Sequence, residues 1–247
     1  MSFADHFSSV AKSYAAYRPR YPPELAASLA QLCAARELAL EVGCGSGQLT
    51  ASLAPQFARV LATEPSQAQL DAAPRIANVE YRCAPAEATG APDASADLVV
   101  AAQAAHWFDW PAFVAETARV ARTGALVALV SYGIVDLDGD AGAIVAHYYR
   151  ETLRGYWPPE RRHVENGYAE LAWPWPPVAA PALAMRATWT RDELLGYVTT
   201  WSATVALVDR LGPAPFESLR ADIARAWPGD EPREIRWPLT LKLARVG

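Results

Sequence analysis

Short apolar runs punctuate the first half of the chain: Leu38-Ala39-Leu40, Val60-Leu61-Ala62, Leu98-Val99-Val100-Ala101-Ala102 and Ala125-Leu126-Val127-Ala128-Leu129-Val130. Runs of this length read as strands, and Val79-Glu80-Tyr81-Arg82-Cys83 adds another. Between them lie segments with helix signals. Pro23 to Arg36 carries Pro at its start and Glu24 in its first turn, where the missing N–H and the negative charge are both favourable. Leu49 to Ala54, Ser66 to Ala73 and Phe113 to Ala121 follow the next strands, and Thr123-Gly124 breaks the last of these helices. This alternation predicts an α/β fold with a parallel sheet and right-handed crossovers.

The pattern changes from about residue 136. Residues 141–156 read as a helix. Trp157-Pro158-Pro159 and Trp173-Pro174-Trp175-Pro176-Pro177 read as rigid aromatic loops, and five of the nine tryptophans lie between 157 and 201. Leu183 to Trp189 alternates like a strand. Thr190 and Glu193 form a capping box for a helix that begins near Arg191 and runs to Gly212-Pro213. A further helix spans about 215–227, and Glu234 to Leu243 alternates as a terminal strand.

Composition narrows the class. The chain has 247 residues, 52% of them apolar, enough for one large domain with a sizeable core. Net charge is −5, which disfavours a partner bound through phosphate contacts, so no nucleic acid is expected. The only lysines are Lys12 and Lys242. Cys33, Cys44 and Cys83 are scattered and odd in number, as in a reduced cytosolic chain without a zinc site. The first residues show no signal peptide, and no apolar run reaches membrane-spanning length. A cytoplasmic protein with no membrane partner is expected.

The candidate chemistry centres on Glu41-Val42-Gly43-Cys44-Gly45-Ser46-Gly47-Gln48. These glycines fall where a strand ends and a helix begins, and they permit a tight turn whose free N–H groups face a ligand. The Gly-x-Gly-x-Gly spacing differs from the dinucleotide fingerprint, and no Gly-Lys-Ser/Thr follows as in a phosphate loop. Glu41 would repel a pyrophosphate but suits an amino group, which favours S-adenosylmethionine. Glu64 ends the second strand about 20 residues on, where a carboxylate can accept from two ribose hydroxyls; capping of the next helix is its plainer reading. Glu87 can accept from an adenine amino group or simply be a solvated loop acid. His106 and Trp107 follow the fourth strand, on the ligand edge. Near the N-terminus, Tyr14, Tyr17, Arg18, Arg20 and Tyr21 either staple an aromatic segment to the core or form a lid over the turn.

With these residues in hand, the chain resembles the class I S-adenosylmethionine-dependent methyltransferases. Glu41 to Gly47 is similar to that family's first motif, Glu64 to its ribose-binding acid, Ala86-Glu87 to its adenine-side loop, Asp97-Leu98-Val99-Val100 to its fourth-strand motif, and Arg119-Val120 through Gly124 to its fifth-strand entry. A narrower resemblance to the trans-aconitate methyltransferase-like enzymes rests on Tyr14 to Pro22, Ala105 to Asp109 and Tyr197 to Ser202. The resemblance implies a Rossmann-like, seven-stranded, mostly parallel sheet with helices on both faces, a last strand running antiparallel and a cap insertion. The implied organisation is a single domain over 1–247: an N-terminal lid at 1–22, a cofactor core at 35–132, a variable cap at 136–180, and residues 181–247 completing the sheet.

It also implies roles. Glu41, Gly43, Cys44, Gly45, Gly47, Glu64 and Pro65 would hold S-adenosylmethionine and its product S-adenosylhomocysteine. Ala86, Glu87, Gln103, Tyr14 and Arg18 would complete that set. Tyr17, Tyr21, Trp107 and Trp201 would wall the acceptor, with no metal. The expected reaction is methyl transfer to a small molecule by a monomer or homodimer. O-methylation of an organic acid carboxylate is the first reading, and O- or C-methylation of an aromatic or polyketide-like acceptor is the alternative. A carboxylate acceptor is already ionised and needs no base; an aromatic or polyketide-like acceptor would use His106. His106 as a purely structural histidine, a dinucleotide-dependent oxidoreductase and a binding protein without turnover are the competing readings.

Overall fold

A computed structural model describes residues 19–247, so Tyr14, Tyr17 and Arg18 lie outside the described residues. The chain forms two compact units, one made of 21–132, 162–183 and 239–247, the other including 133–161 and 184–238.

The first unit contains the sheet. In chain order its elements are α1 (Pro23–Leu32), β1 (Leu38–Val42), α2 (Gln48–Leu53), β2 (Arg59–Glu64), α3 (Gln67–Asp71), β3 (Val79–Cys83), β4 (Ala96–Ala102), α4 (Trp110–Val120) and β5 (Ala121–Tyr132). A short α6 (Arg161–Glu165) begins at the edge of the second unit, and β6 (Pro177–Val178) follows in the first. The second unit adds α5 (Asp140–His147), β7 (Ala184–Trp189), α7 (Arg191–Thr199), α8 (Ser202–Leu211) and α9 (Ala214–Ala226). The last strand, β8 (Arg233–Arg245), begins in the second unit and ends in the first.

The strand order is β3-β2-β1-β4-β5-β8-β6. β1 to β5 pair in parallel, and β8 pairs antiparallel to both β5 and β6. The order reverses between β1 and β4, which opens a crevice at their carboxyl ends. Successive side chains of β1 serve opposite faces. Leu38, Leu40 and Val42 join Phe113 and Val120 of α4 in one core, while Glu41 meets Thr50 of α2 on the other. Helices therefore cover both faces, as expected.

Several boundaries differ from the expectation. The seventh position in the sheet belongs to Pro177–Val178, and the predicted strand at 183–189 instead pairs with the first half of β8 as a branch. The predicted cap at 136–180 divides between the two units. The helix expected across 141–156 stops at His147 and widens into a π turn at Tyr148–Thr152. The helix expected from 191 to 211 breaks at Thr200-Trp201. There the Thr199 and Thr200 hydroxyls donate to the carbonyls of Gly196 and Tyr197, competing with the helical ladder. The capping box of Thr190 and Glu193 is present. No helix among the described residues is long and apolar enough to cross a membrane.

The end of the sheet opposite the crevice is pinned by Asp97. Its buried carboxylate accepts from the backbone N–H groups of Glu37 at 2.7 Å and Leu38 at 3.0 Å, and from Arg122 at 2.7 Å. Asn offers one acceptor oxygen and turns an amide donor toward other donors. Asp97→Asn is expected to lower stability by about 1.5–3 kcal/mol in urea unfolding; an unchanged midpoint would show that these bonds contribute nothing net.

Candidate functional site

The glycine turn follows β1 directly. The Cys44 N–H donates to Thr63 O at 3.0 Å, and the Gly47 N–H closes the turn on Cys44 O at 3.0 Å. Gly43 has a φ of +66°, and a Cβ there would sit 2.5 Å from that of Ala104. Only glycine lets the segment after β4 pack this closely on the turn. Gly45 differs: φ is +56°, and a Cβ would meet no described residue within 4 Å. Among the described residues, its bare backbone thus leaves room for a ligand. Gly47, also left-handed, starts α2.

Glu64 ends β2 beneath this turn and is 7% exposed. One carboxylate oxygen accepts from the Gly45 N–H and the other from the Ser66 N–H, each at 3.1 Å. A carboxylate offers two acceptor oxygens, the kind of group that a pair of ribose hydroxyls requires. Exposed Pro65 follows it. These residues fit an adenosyl ligand that carries no phosphate: an open turn with a carboxylate beside it.

Glu41 is buried to 2% exposure and accepts from the Thr50 hydroxyl at 2.5 Å. Burial pushes its carboxyl up to about 8, against the pull of the Thr50 bond, and the Glu64 charge adds to the rise. The Cys44 thiol is raised too, chiefly by burial. Tyr81 reaches the turn from β3; a Cβ on Gly47 would lie 2.8 Å from its hydroxyl. Thr50 and Tyr81 were not legible as site residues, because no motif marks them.

The segment after β4 supplies the other wall. Gln103 is left-handed at φ +53°, and its side-chain amide donates to Tyr132 O at 2.7 Å. A 3₁₀ turn at Ala105–Trp107 presents His106 and Trp107. The His106 ring lies 4.9 Å from Trp107, which is 40% exposed, and its Nδ1 is 3.3 Å from the Tyr168 hydroxyl. Ala86 is buried, and Glu87 accepts from the Asp109 N–H at 2.8 Å, which ties the loop after β3 to this wall. The Tyr21 N–H donates to the Gln48 side chain at 3.3 Å, and its ring meets Tyr132 edge-on. Tyr21 thus lies beside the start of α2. Trp201 is placed differently: it is a buried member of the second unit, packed by Tyr149, Trp157 and Tyr197. Its surroundings there are aromatic packing.

The methyltransferase domain family matches residues 40–129. A Dictyostelium discoideum protein described as a methyltransferase is 36% identical over 210 residues, 83% of this chain and 80% of its own. A solved structure from Anaeromyxobacter dehalogenans, described as a type II methyltransferase, is 44% identical with a TM-score of 0.89, covering 93% of this chain and 98% of that one. A Bacillus halodurans structure at 22% identity and TM-score 0.54 shares the fold, over 89% of this chain and 97% of its own.

The buried acid has a measurable consequence. Folded Glu41 holds a proton that the unfolded chain releases above an ordinary value of 4.5. The folded state therefore binds more protons between about pH 4.5 and 8, and stability falls as pH rises through that window. Glu41→Gln is expected to flatten the decline in melting temperature from pH 5 to pH 8. A decline as steep as in the parent protein would contradict the assignment.

Proposed function

Because the chain belongs to the class I S-adenosylmethionine-dependent methyltransferases, we propose that it methylates the hydroxyl of a small-molecule acceptor, with His106 receiving the hydroxyl proton. Bound S-adenosylmethionine would supply an electrophilic methyl group on a sulfonium. Glu64 would take the ribose hydroxyls, the Gly43–Gly47 turn the amino-acid tail, and Glu41 the ammonium, whose charge favours the ionised carboxylate. Ala86, Glu87 and Pro65 would border the adenine. Trp107 and Tyr21 would flank the acceptor, and aromatic faces suit both a sulfonium and an apolar acceptor.

The observation that carries the hydroxyl reading is the His106–Tyr168 pair on the wall that packs against the turn. A carboxylate, with a pKa of about 4, would leave that arrangement without a task. An unactivated phenol, near 10, needs a proton acceptor as its oxygen takes the methyl. The rest of the rate gain would come from holding the two reactants in near-attack geometry.

Labelled S-adenosylmethionine offered with a panel of phenols, aliphatic alcohols and organic acids tests the proposal. Label is expected on a hydroxyl, and His106→Ala should lower kcat on that acceptor by roughly 10²–10⁴-fold with cofactor affinity nearly unchanged. Transfer confined to carboxylates and indifferent to His106→Ala would overturn the hydroxyl reading in favour of an organic acid. Tight binding without transfer would favour a regulatory protein. Glu64→Ala is expected to weaken cofactor binding by about 1–3 kcal/mol in calorimetry; unchanged affinity would remove Glu64 from the site.

A further inference from the structure

Tyr168 has a backbone φ of +62° and is completely buried. Left-handed φ is rare outside glycine and is a genuine outlier for a bulky side chain. Such a conformation costs about 1–3 kcal/mol and persists only where the surroundings over-determine it. Here they do. After α6, the Tyr168 N–H donates to His163 O at 2.7 Å and the Gly167 N–H to Val164 O at 3.1 Å. Gly167 is itself left-handed, and a Cβ on it would lie 2.5 Å from Thr240 Cγ2. Behind the turn, the Lys242 ammonium donates to the carbonyls of Tyr168 at 2.9 Å, Ala169 at 3.5 Å and Leu171 at 2.6 Å. It also lies 5.4 Å from the centre of the Trp173 ring. Three rotatable donors converging on three carbonyls is a task for lysine rather than a planar guanidinium, in a chain where every other basic side chain but Lys12 is Arg.

What this scaffold delivers is one hydroxyl. The Tyr168 ring stacks against His106 at 18° between planes, and its hydroxyl meets Nδ1. A histidine presents a lone pair at Nε2 only when the proton sits on Nδ1, and the partner of Nδ1 decides this. We propose that Tyr168 is a positioning residue for His106: its hydroxyl oxygen accepts the Nδ1–H, fixes that tautomer and steadies the imidazolium. The inference rests on the base role given to His106 above. In that reaction the acceptor O–H bond breaks toward Nε2, the oxygen–methyl bond forms, and the carbon–sulfur bond breaks with its electron pair remaining on sulfur. The imidazolium then donates from Nδ1 to Tyr168. Among the described residues, titratable groups bordering this corner include the Lys242 ammonium behind Tyr168, Glu87, bonded to the Asp109 N–H on the neighbouring loop, and His163 of α6, whose carbonyl accepts the Tyr168 N–H and whose Nδ1 lies 3.5 Å from Glu170.

Nitrogen-15 NMR of histidine-labelled protein with S-adenosylhomocysteine tests this without an acceptor, the His106 signals being assigned by their loss in His106→Ala. The parent protein is expected to show the Nδ1–H tautomer. Tyr168→Phe keeps the ring and removes only the hydroxyl; it should yield a tautomer mixture and a His106 titration displaced to lower pH by roughly half to one unit. Identical tautomer and titration in the two proteins would overturn the proposal. The acceptor panel with His106→Ala separately tests the base role, so the two failures are distinguishable.

Discussion

The structure depends on a short strap between two adjacent strand ends. The Gly45 N–H donates to the Glu64 carboxylate, and one residue earlier the Cys44 N–H donates to Thr63 O. These bonds hold the glycine turn against the end of β2. They bring the Glu64 carboxylate beside the glycine turn. Without the strap the turn would be a mobile loop, and any ligand would have to supply the energy to order it.

Charge is distributed unevenly around this strap. Glu64 keeps a polar environment of backbone donors, whereas Glu41, one strand over, is buried with the Thr50 hydroxyl as its described partner. The two acids thereby sit in different surroundings, although both border one turn. On the opposite wall, the described polar partner of the His106 imidazole is a phenol held by a strained backbone. The glycine turn and the wall after β4 are thus built from different chemistry.

Much of this could be read in advance. The buried strands of the first unit announced themselves as apolar runs, and the Gly-x-Gly-x-Gly spacing with Glu64 some 20 residues on pointed to the crevice at the order reversal. The less legible parts are those set by contacts distant in sequence. Thr50 reveals itself only by facing Glu41, and Tyr168 only because Lys242, far along the chain, captures its carbonyl. The break at Thr200-Trp201 was hidden by helical periodicity on both sides, since hydroxyl back-bonding leaves no pattern of apolar positions. Trp201 was chosen for its aromatic face, yet aromatic residues fill cores as readily as they line sites. A two-residue strand such as β6 is too short for any periodicity to register.

The account's central claim is that the strapped turn and Glu64 together hold S-adenosylmethionine. A crystal structure with S-adenosylhomocysteine bound tests it most directly. The account predicts both ribose hydroxyls within hydrogen-bond distance of the Glu64 carboxylate and the amino-acid tail over Gly43–Gly47. A ligand seated elsewhere, or a sugar turned away from Glu64 at full occupancy, would contradict it.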